Sequence, residues 1–245
     1  MPDTVFTVSV LVAATLAATI VQTLAGFGFA LVMMPIVTLC LGLRLAAPLV
    51  ALIALTLYVW NTVRYHASLN LREVWPLACA AVAGVPVGVW AVARASESLV
   101  KGVLGILLIG YALEGLLRPR ERKCSRAWAP LAGFLSGCLA GAYNTSGPPL
   151  AVYGALRGWD KTEFRAGIQT LFLCSGAVTV LSHLAARHLT VPVLLGYAAT
   201  PPLLVAGLVI GMKIDRHVNK ARFRKLVLAM ILVLGITLAV SLVQN

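Results

Sequence analysis

The sequence predicts an all-α polytopic membrane protein, and three features of its 245 residues indicate this class. Hydrophobic residues make up 60% of the chain and charged residues only 11%, whereas a soluble domain carries about 25% charged residues. Long apolar stretches alternate with short polar segments along the whole chain. Two of those stretches are interrupted by glycine or proline, so we expect about eight to ten helical segments.

Eight apolar stretches are long enough to form helices that reach across a bilayer. Arg44 separates the first stretch from the second, and six polar segments separate the later stretches. Each segment contains arginine or lysine, which are costly to bury in lipid. Those polar segments are 64–73, 94–98, 118–126, 157–163, 187–188 and 213–222. The apolar stretches are 5–43, 46–63, 74–93, 99–117, 128–156, 164–186, 191–212 and 223–243.

The first and fifth stretches are too long for a single crossing. Residues 5–43 would form roughly 58 Å of helix at 1.5 Å per residue, against a hydrocarbon core of about 30 Å. The two glycines of the segment Ala25-Gly26-Phe27-Gly28-Phe29 predict a break in the first stretch. Proline predicts one in the fifth at Tyr143-Asn144-Thr145-Ser146-Gly147-Pro148-Pro149. Each stretch then becomes a broken or re-entrant helical hairpin.

The distribution of positive charge supports these two hairpins. If both stretches enter the membrane and return, 16 of the 20 lysine and arginine residues fall on one side and four on the other. The positively charged side is the cytoplasmic one. The sequence therefore predicts a multi-pass membrane protein with both termini facing away from the cytoplasm.

The two halves of the chain have the same layout and opposite predicted orientation. Residues 1–117 form a first membrane repeat, 118–127 a basic cytoplasmic linker and 128–245 a second membrane repeat. A shift of 119 positions aligns Gly28 with Gly147 and Gly88 with Gly207. Each half is a broken hairpin followed by three helices. Two inverted repeats of this kind are typical of secondary transporters that work by alternating access.

The interruptions predict a site for a small anion. A helix that begins inside the membrane presents N–H groups and a partial positive charge at its first turn. The predicted substrate-binding residues are Gln22, Thr23, Gly26, Phe27, Gly28, Phe29, Asn144, Thr145, Ser146, Gly147, Pro148 and Pro149. Residues predicted to attract the anion or to gate its path are Arg44, Lys161, Arg165 and Gln169. We expect no buried carboxylate for cation or proton coupling, because no Asp or Glu lies in the middle of an apolar stretch.

Several alternatives stay open at this point. The glycines could serve only close helix packing. An anion channel of the same architecture needs the same anion-lined path, and a structural membrane scaffold needs none. An intramembrane enzyme could use Ser146 with His183, and a thiol-redox protein could use Cys40, Cys138 or Cys174.

The glycine and proline motifs resemble those of the TauE/SafE family of bacterial membrane proteins, the sulfite exporter family. The resemblance implies transport of a small sulfur-containing anion, such as sulfite or a sulfonate, across the bacterial inner (plasma) membrane. Both termini then lie in the periplasm. The residues that carry the resemblance are Ala25-Gly26-Phe27-Gly28-Phe29, Met34-Pro35, Gly133-Phe134-Leu135-Ser136-Gly137, Gly141, Asn144-Thr145-Ser146-Gly147-Pro148-Pro149-Leu150 and Phe164-Arg165-Ala166.

The predicted partners follow from this interpretation. They are a small anionic substrate and the lipid bilayer. A coupling proton and a second copy of the chain, as a homodimer, are further candidates. No nucleic acid is expected, because the positive charge lies in loops rather than on a soluble module. No catalytic residue, metal ion or cofactor is predicted.

The predicted topology can be tested with cysteine labelling. In a variant lacking the five native cysteines, single cysteines placed after Met1 and at Asn245 should both react with an impermeant thiol reagent added from the periplasmic side. A cysteine at Arg122 is the cytoplasmic control and should react only after permeabilisation. Labelling of the two termini from opposite sides would contradict the double hairpin.

Overall fold

A computed structural model describes residues 4–92, 105–106, 109–110, 112–113, 116, 124–143 and 146–240. In these residues the chain forms α-helices and two short 3-10 turns, with no β-strand. The all-α class predicted from composition is confirmed.

Ten helices are described, and they follow the apolar stretches of the sequence. The turn of Asp160 and Glu163 illustrates how one of them begins. Asp160 Oδ1 accepts the N–H groups of Thr162 and Glu163 at 2.7 and 2.8 Å, and the Glu163 carboxylate accepts the Asp160 N–H at 3.2 Å. This reciprocal capping box sets the start of α7. The helices are α1 Thr4–Ala25, α2 Phe29–Leu41, α3 Leu43–Tyr65, α4 Leu71–Val92, α5 Ala129–Tyr143, α6 Gly147–Arg157, α7 Lys161–Ala185, α8 Val191–Ala198, α9 Pro201–Asp215 and α10 Lys220–Val240.

Both predicted interruptions are confirmed. Helix α1 ends at Ala25 and α2 begins at Phe29, while α5 ends at Tyr143 and α6 begins at Gly147. Asn144 and Thr145 lie outside the described residues. So do 118–123 of the predicted linker, most of the predicted stretch 99–117, and the residues 1–3 and 241–245 that bear on the predicted periplasmic termini.

A further interruption lies where the sequence analysis expected one continuous helix. The stretch 191–212 is divided into α8 and α9, which meet at a bend of 41°. Pro201 and Pro202 have no N–H to continue the helix, and the Thr200 hydroxyl donates to the Tyr197 carbonyl at 2.8 Å. The expectation of an unbroken helix is therefore wrong at Thr200.

Several helices are suited to a lipid environment. Three in the described part of the chain are long and apolar enough to cross a membrane, within Val8–Ala25, Arg44–Ser68 and Lys161–Ala185. The bent pair of α8 and α9 makes a fourth if it is counted as one span. Large apolar side chains such as Val63, Trp75 and Leu195 are exposed. Lipid can cover such surfaces, whereas water would disfavour them.

The chain forms two compact units, each of which combines residues from both predicted repeats. The first consists of Met1–Ala67 and Phe172–Val218, and the second of Ser68–Leu171 and Asn219–Asn245.

In the first unit, α1 packs closely against α9. Gly207 and Gly211 face Thr19 and Thr23, and a Cβ atom at either glycine would lie 2.7 Å from the Cβ of the threonine it faces. The threonine hydroxyls donate to carbonyls four residues earlier in α1 at 2.7 Å, so both are paired within their own helix. Small residues at this spacing let two helix backbones approach.

In the second unit, α4 and α5 are in still closer contact. A Cβ atom at Gly137 would overlap the carbonyl of Ala81, and one at Gly88 would overlap the carbonyl of Cys138. Gly84 and Gly133 face backbone atoms of the opposite helix in the same way. Glycine is thus required along the contact line of these two helices.

A test of this contact is Gly137→Ala. The added methyl group has no room, so we expect the variant to lose about 1–3 kcal/mol of stability. The measurement is the thermal unfolding midpoint of the purified protein in detergent. Gly110→Ala is the matched control, because nothing lies within 4 Å of a Cβ at Gly110. Equal midpoints for the two variants would contradict the close packing.

Candidate functional site

The first interruption, residues 26–28, is stabilised by the side chain of Gln22. Gly26 and Gly28 have φ angles of 85° and 106°, which L side chains rarely adopt. The Gln22 amide donates through Nε2 to the Gly26 carbonyl at 3.3 Å and accepts the Phe29 N–H through Oε1 at 3.0 Å. One buried side chain therefore bonds to the backbone on both sides of the break.

Every predicted site residue of the first interruption is buried. Gln22 is 1% exposed and Phe29 is fully buried, so the break lies in the interior of its unit rather than on its surface. Phe27 and Thr23 are buried as well. An interior break needs compensating hydrogen bonds, since an unpaired backbone group in an apolar environment costs several kcal/mol.

The second interruption, residues 144–146, precedes a helix with proline in its first turn. Helix α6 begins at Gly147, which is buried, with Ser146 as its N-cap residue. Pro148 and Pro149 lack N–H groups, so the first turn of α6 has fewer donors to satisfy than an ordinary helix start. The Ser136 hydroxyl, which is buried in α5, donates to the Ser146 carbonyl at 2.6 Å. A side chain before the break again bonds to the backbone of the break, here at its last residue.

The residues predicted to attract or gate the anion differ in exposure. Arg44 is exposed and Lys161 is half-buried. Arg165 and Gln169, by contrast, are 2% and 1% exposed and lie one turn apart in α7. A buried arginine in an apolar helix is a candidate functional residue, because the bilayer interior disfavours its charge.

A polar cluster that the sequence analysis missed surrounds the carboxylate of Glu73. We call this set the Glu73 cluster; it consists of Glu73, Tyr153, Arg157 and Arg126. Arg157 Nε donates to Glu73 Oε1 at 2.5 Å and the Tyr153 hydroxyl donates to the same oxygen at 3.0 Å. Arg126 Nε lies 4.0 Å from Glu73 Oε2.

Glu73 is a buried carboxylate, 7% exposed, that lies in the first turn of α4 rather than in the middle of an apolar stretch. Burial alone would raise the pKa of Glu73, but the hydrogen bonds from Arg157 and Tyr153 and the charges of Arg157 and Arg126 hold it below its ordinary value. Glu73 and Arg157 are 84 positions apart, so no local pattern in the sequence could pair them. The only sequence signal was the position of Glu73 directly before an apolar stretch.

A cavity of about 730 Å³ opens beside α3 and α9 in the first unit, and the described residues that line it include none of the predicted site residues. Its lining is apolar apart from Thr56 and Arg64, and includes Trp60 and Met212. Such a lining offers few groups to replace the water around a small anion.

Residues 11–238 match the family profile described as "Sulfite exporter TauE/SafE". The chain belongs to the TauE/SafE family. It is therefore a membrane transport protein and not an enzyme. The hydrolase alternative built on Ser146 and His183 and the thiol-redox alternative are removed. His183 Nδ1 instead lies 3.2 Å from His188 Nδ1 at the end of α7.

One curated relative supports the TauE/SafE assignment. The "Probable sulfite/organosulfonate exporter TauE" of Cupriavidus necator is 24% identical over 230 residues, which cover 91% of this chain and 90% of the relative. No solved structure matches the chain.

The role of Gln22 in the first interruption can be tested with Gln22→Met. The methionine keeps the apolar length of the side chain but removes the two Gln22 hydrogen bonds to the Gly26 carbonyl and the Phe29 N–H, at about 1–3 kcal/mol for each bond. We expect the thermal unfolding midpoint to fall by roughly 5 °C or more.

The matched control is Ser182→Ala, whose hydroxyl is exposed and bonds only to a carbonyl of its own helix. A Gln22→Met protein as stable as this control would show that the Gln22 amide does not stabilise the break.

Proposed function

We propose that the chain is a secondary transporter that moves a small sulfur oxyanion, sulfite or an organosulfonate, outward across the bacterial inner membrane. It works by alternating access around a site near the bilayer midplane, to which both interrupted hairpins contribute. The observation that carries the proposal is that each compact unit contains a helix interrupted inside an apolar stretch and restarted at once.

The chemistry of the interruptions supports an anion as substrate. A helix start provides N–H groups and about half a positive charge, which stabilise an oxyanion without a buried counter-ion. In the proposal, Ser146 and Gly147 provide N–H groups at the second interruption, and the side chains of Asn144, Thr145 and Ser146 complete the ligand set. At the first interruption Phe27 and Gly28 contribute backbone N–H groups, because the N–H groups of Gly26 and Phe29 already bond to Gln22. Gln22 thereby holds the shape of the break, and Thr23 is a further ligand in the proposal.

Matching contacts in the two units support the inverted repeats. Gly88 of α4 is packed against Cys138 of α5, and Gly207 of α9 is packed against Thr19 of α1. Gly207 lies 119 positions after Gly88, and Cys138 lies 119 positions after Thr19. The same pair of positions thus brings two helices into close contact twice, once in each unit.

Arg165 and Gln169 are assigned a role in binding the anion along its path. Both are buried in α7. Phe164, directly before Arg165, packs against Gly154 of the short helix α6. A guanidinium group binds two oxygens of a sulfur oxyanion at once, and an amide N–H adds a neutral donor. Lys161 and Arg44, which are more exposed, attract the anion electrostatically.

The family and the curated relative supply the substrate class and the direction of the proposal. The relative's name describes an exporter of sulfite or organosulfonate. The proposal also includes a coupling proton and assembly of two copies of the chain as a homodimer.

The proposal is tested by uptake into proteoliposomes of labelled sulfite, sulfate, a small sulfonate and chloride, with and without a pH gradient. We expect saturable, counterflow-stimulated uptake of a sulfur anion by the wild type. Pro148→Ala combined with Pro149→Ala should reduce it at least tenfold, because alanine lets α5 and α6 join into one helix and removes the interruption.

The matched control is the double variant Pro130→Ala and Pro192→Ala, whose prolines are exposed at the starts of α5 and α8. It should transport like the wild type. Normal transport by the Pro148/Pro149 variant would contradict the site at the second interruption, and uptake without counterflow stimulation would favour an anion channel.

A further inference from the structure

The Glu73 cluster has the composition of an oxyanion-binding site that already holds an anion. Two guanidinium groups and a tyrosine hydroxyl converge on one buried carboxylate. Glu73 Oε1 accepts two hydrogen bonds, from Arg157 and Tyr153. Carboxylates, sulfite and sulfonates all present oxygens that share a negative charge, and guanidinium groups bind each of them in the same way.

The cluster carries one more positive charge than negative. Arg157 and Arg126 face the single carboxylate of Glu73, and the side chains of the two arginines are 28% and 41% exposed. Arg126 also donates to the carbonyl of Arg72, which adds a third cation at the start of α4. An anion in the adjacent water is therefore attracted to the cluster and can reach both guanidinium groups.

The cluster is attached to the half-helix that follows the second interruption. Tyr153 and Arg157 are one turn apart at the C-terminal end of α6, and Arg157 Nη1 donates to the Cys124 carbonyl at 2.9 Å. Helix α6 has 11 residues and is about 16 Å long. The contact between Glu73 and Arg157 therefore holds one end of a short rigid helix whose other end is the second interruption.

We propose that Arg157, Arg126 and Tyr153 form a second oxyanion-binding site, in which the Glu73 carboxylate is an internal ligand that the transported anion displaces. The identity of the displacing anion rests on the proposed function. The exchange replaces one anion by another, so the two arginines are never left without a counter-ion. It also releases the C-terminal end of α6 from α4, which links arrival of the anion to movement at the second interruption.

The site itself is tested by chemical rescue with formate, the smallest carboxylate, on the full-length protein in detergent. Glu73→Ala should lower the thermal unfolding midpoint, because Arg157 loses its counter-ion. Formate should recover most of the loss, and chloride at matched ionic strength should not. The recovery should disappear in the double variant Glu73→Ala/Arg157→Gln. Glu163→Ala, which removes an exposed helix-capping carboxylate from α7, is the control: its midpoint also falls, but formate should give no more recovery than chloride.

Displacement by the transported anion is tested with Glu73→Gln, which keeps the size of the side chain and its hydrogen-bonding oxygen. Without the competing charge, the KM for sulfite uptake in proteoliposomes should fall by roughly twofold to fivefold. An unchanged or higher KM would overturn the displacement.

The failure of the two proposals can be distinguished. Formate rescue requires no transport, so it reports on the arginine site even if no sulfur anion is taken up. An absence of formate-specific recovery in Glu73→Ala would overturn the second site while leaving the transport proposal intact.

Discussion

The structure depends on one constraint, which is that backbone N–H and C=O groups inside an apolar environment must be paired. Uninterrupted helices meet this constraint within themselves, whereas each interruption leaves groups that something else must satisfy. At the first break the Gln22 amide bonds to the backbone on both sides. At the second, Pro148 and Pro149 remove two donors, and Ser136 pairs the Ser146 carbonyl. The interruptions are therefore supported features of the fold.

The same constraint explains where the chain places its small residues. A helix that ends at a break is not held in place by a continuing helix. The helix before each break is instead packed tightly against a neighbour within its unit. Gly207 and Gly211 allow α9 to approach α1, and Gly88 and Gly137 allow α4 and α5 to approach each other. Close backbone contact of this kind replaces the hydrophobic driving force that is missing between helices in lipid. Rigid support lets the broken segments present polar groups without collapsing.

Local signals in the sequence were sufficient for much of the fold. Composition predicted the all-α class, and the glycines at 26 and 28 and the prolines at 148 and 149 predicted both long-stretch interruptions. Pro201 and Pro202 are a proline pair of the same kind and also indicate a helix interruption. Their stretch, however, has the length of one crossing, so its length gave no reason to divide it. Glu73 was missed because its partner Arg157 is 84 residues away and only tertiary packing joins them. The sequence predicted Gln22 as a substrate ligand, and the structure adds its bonds to the broken backbone.

The central claim is that backbone N–H groups at the helix interruptions bind the transported anion. The most direct measurement is hydrogen–deuterium exchange of the purified protein with and without saturating sulfite, followed by mass spectrometry of peptides that cover residues 22–32 and 144–151. The account predicts slower exchange in both peptides when sulfite is present, with no change in the peptide that covers 81–88. Unchanged exchange at both interruptions under saturating sulfite would contradict it.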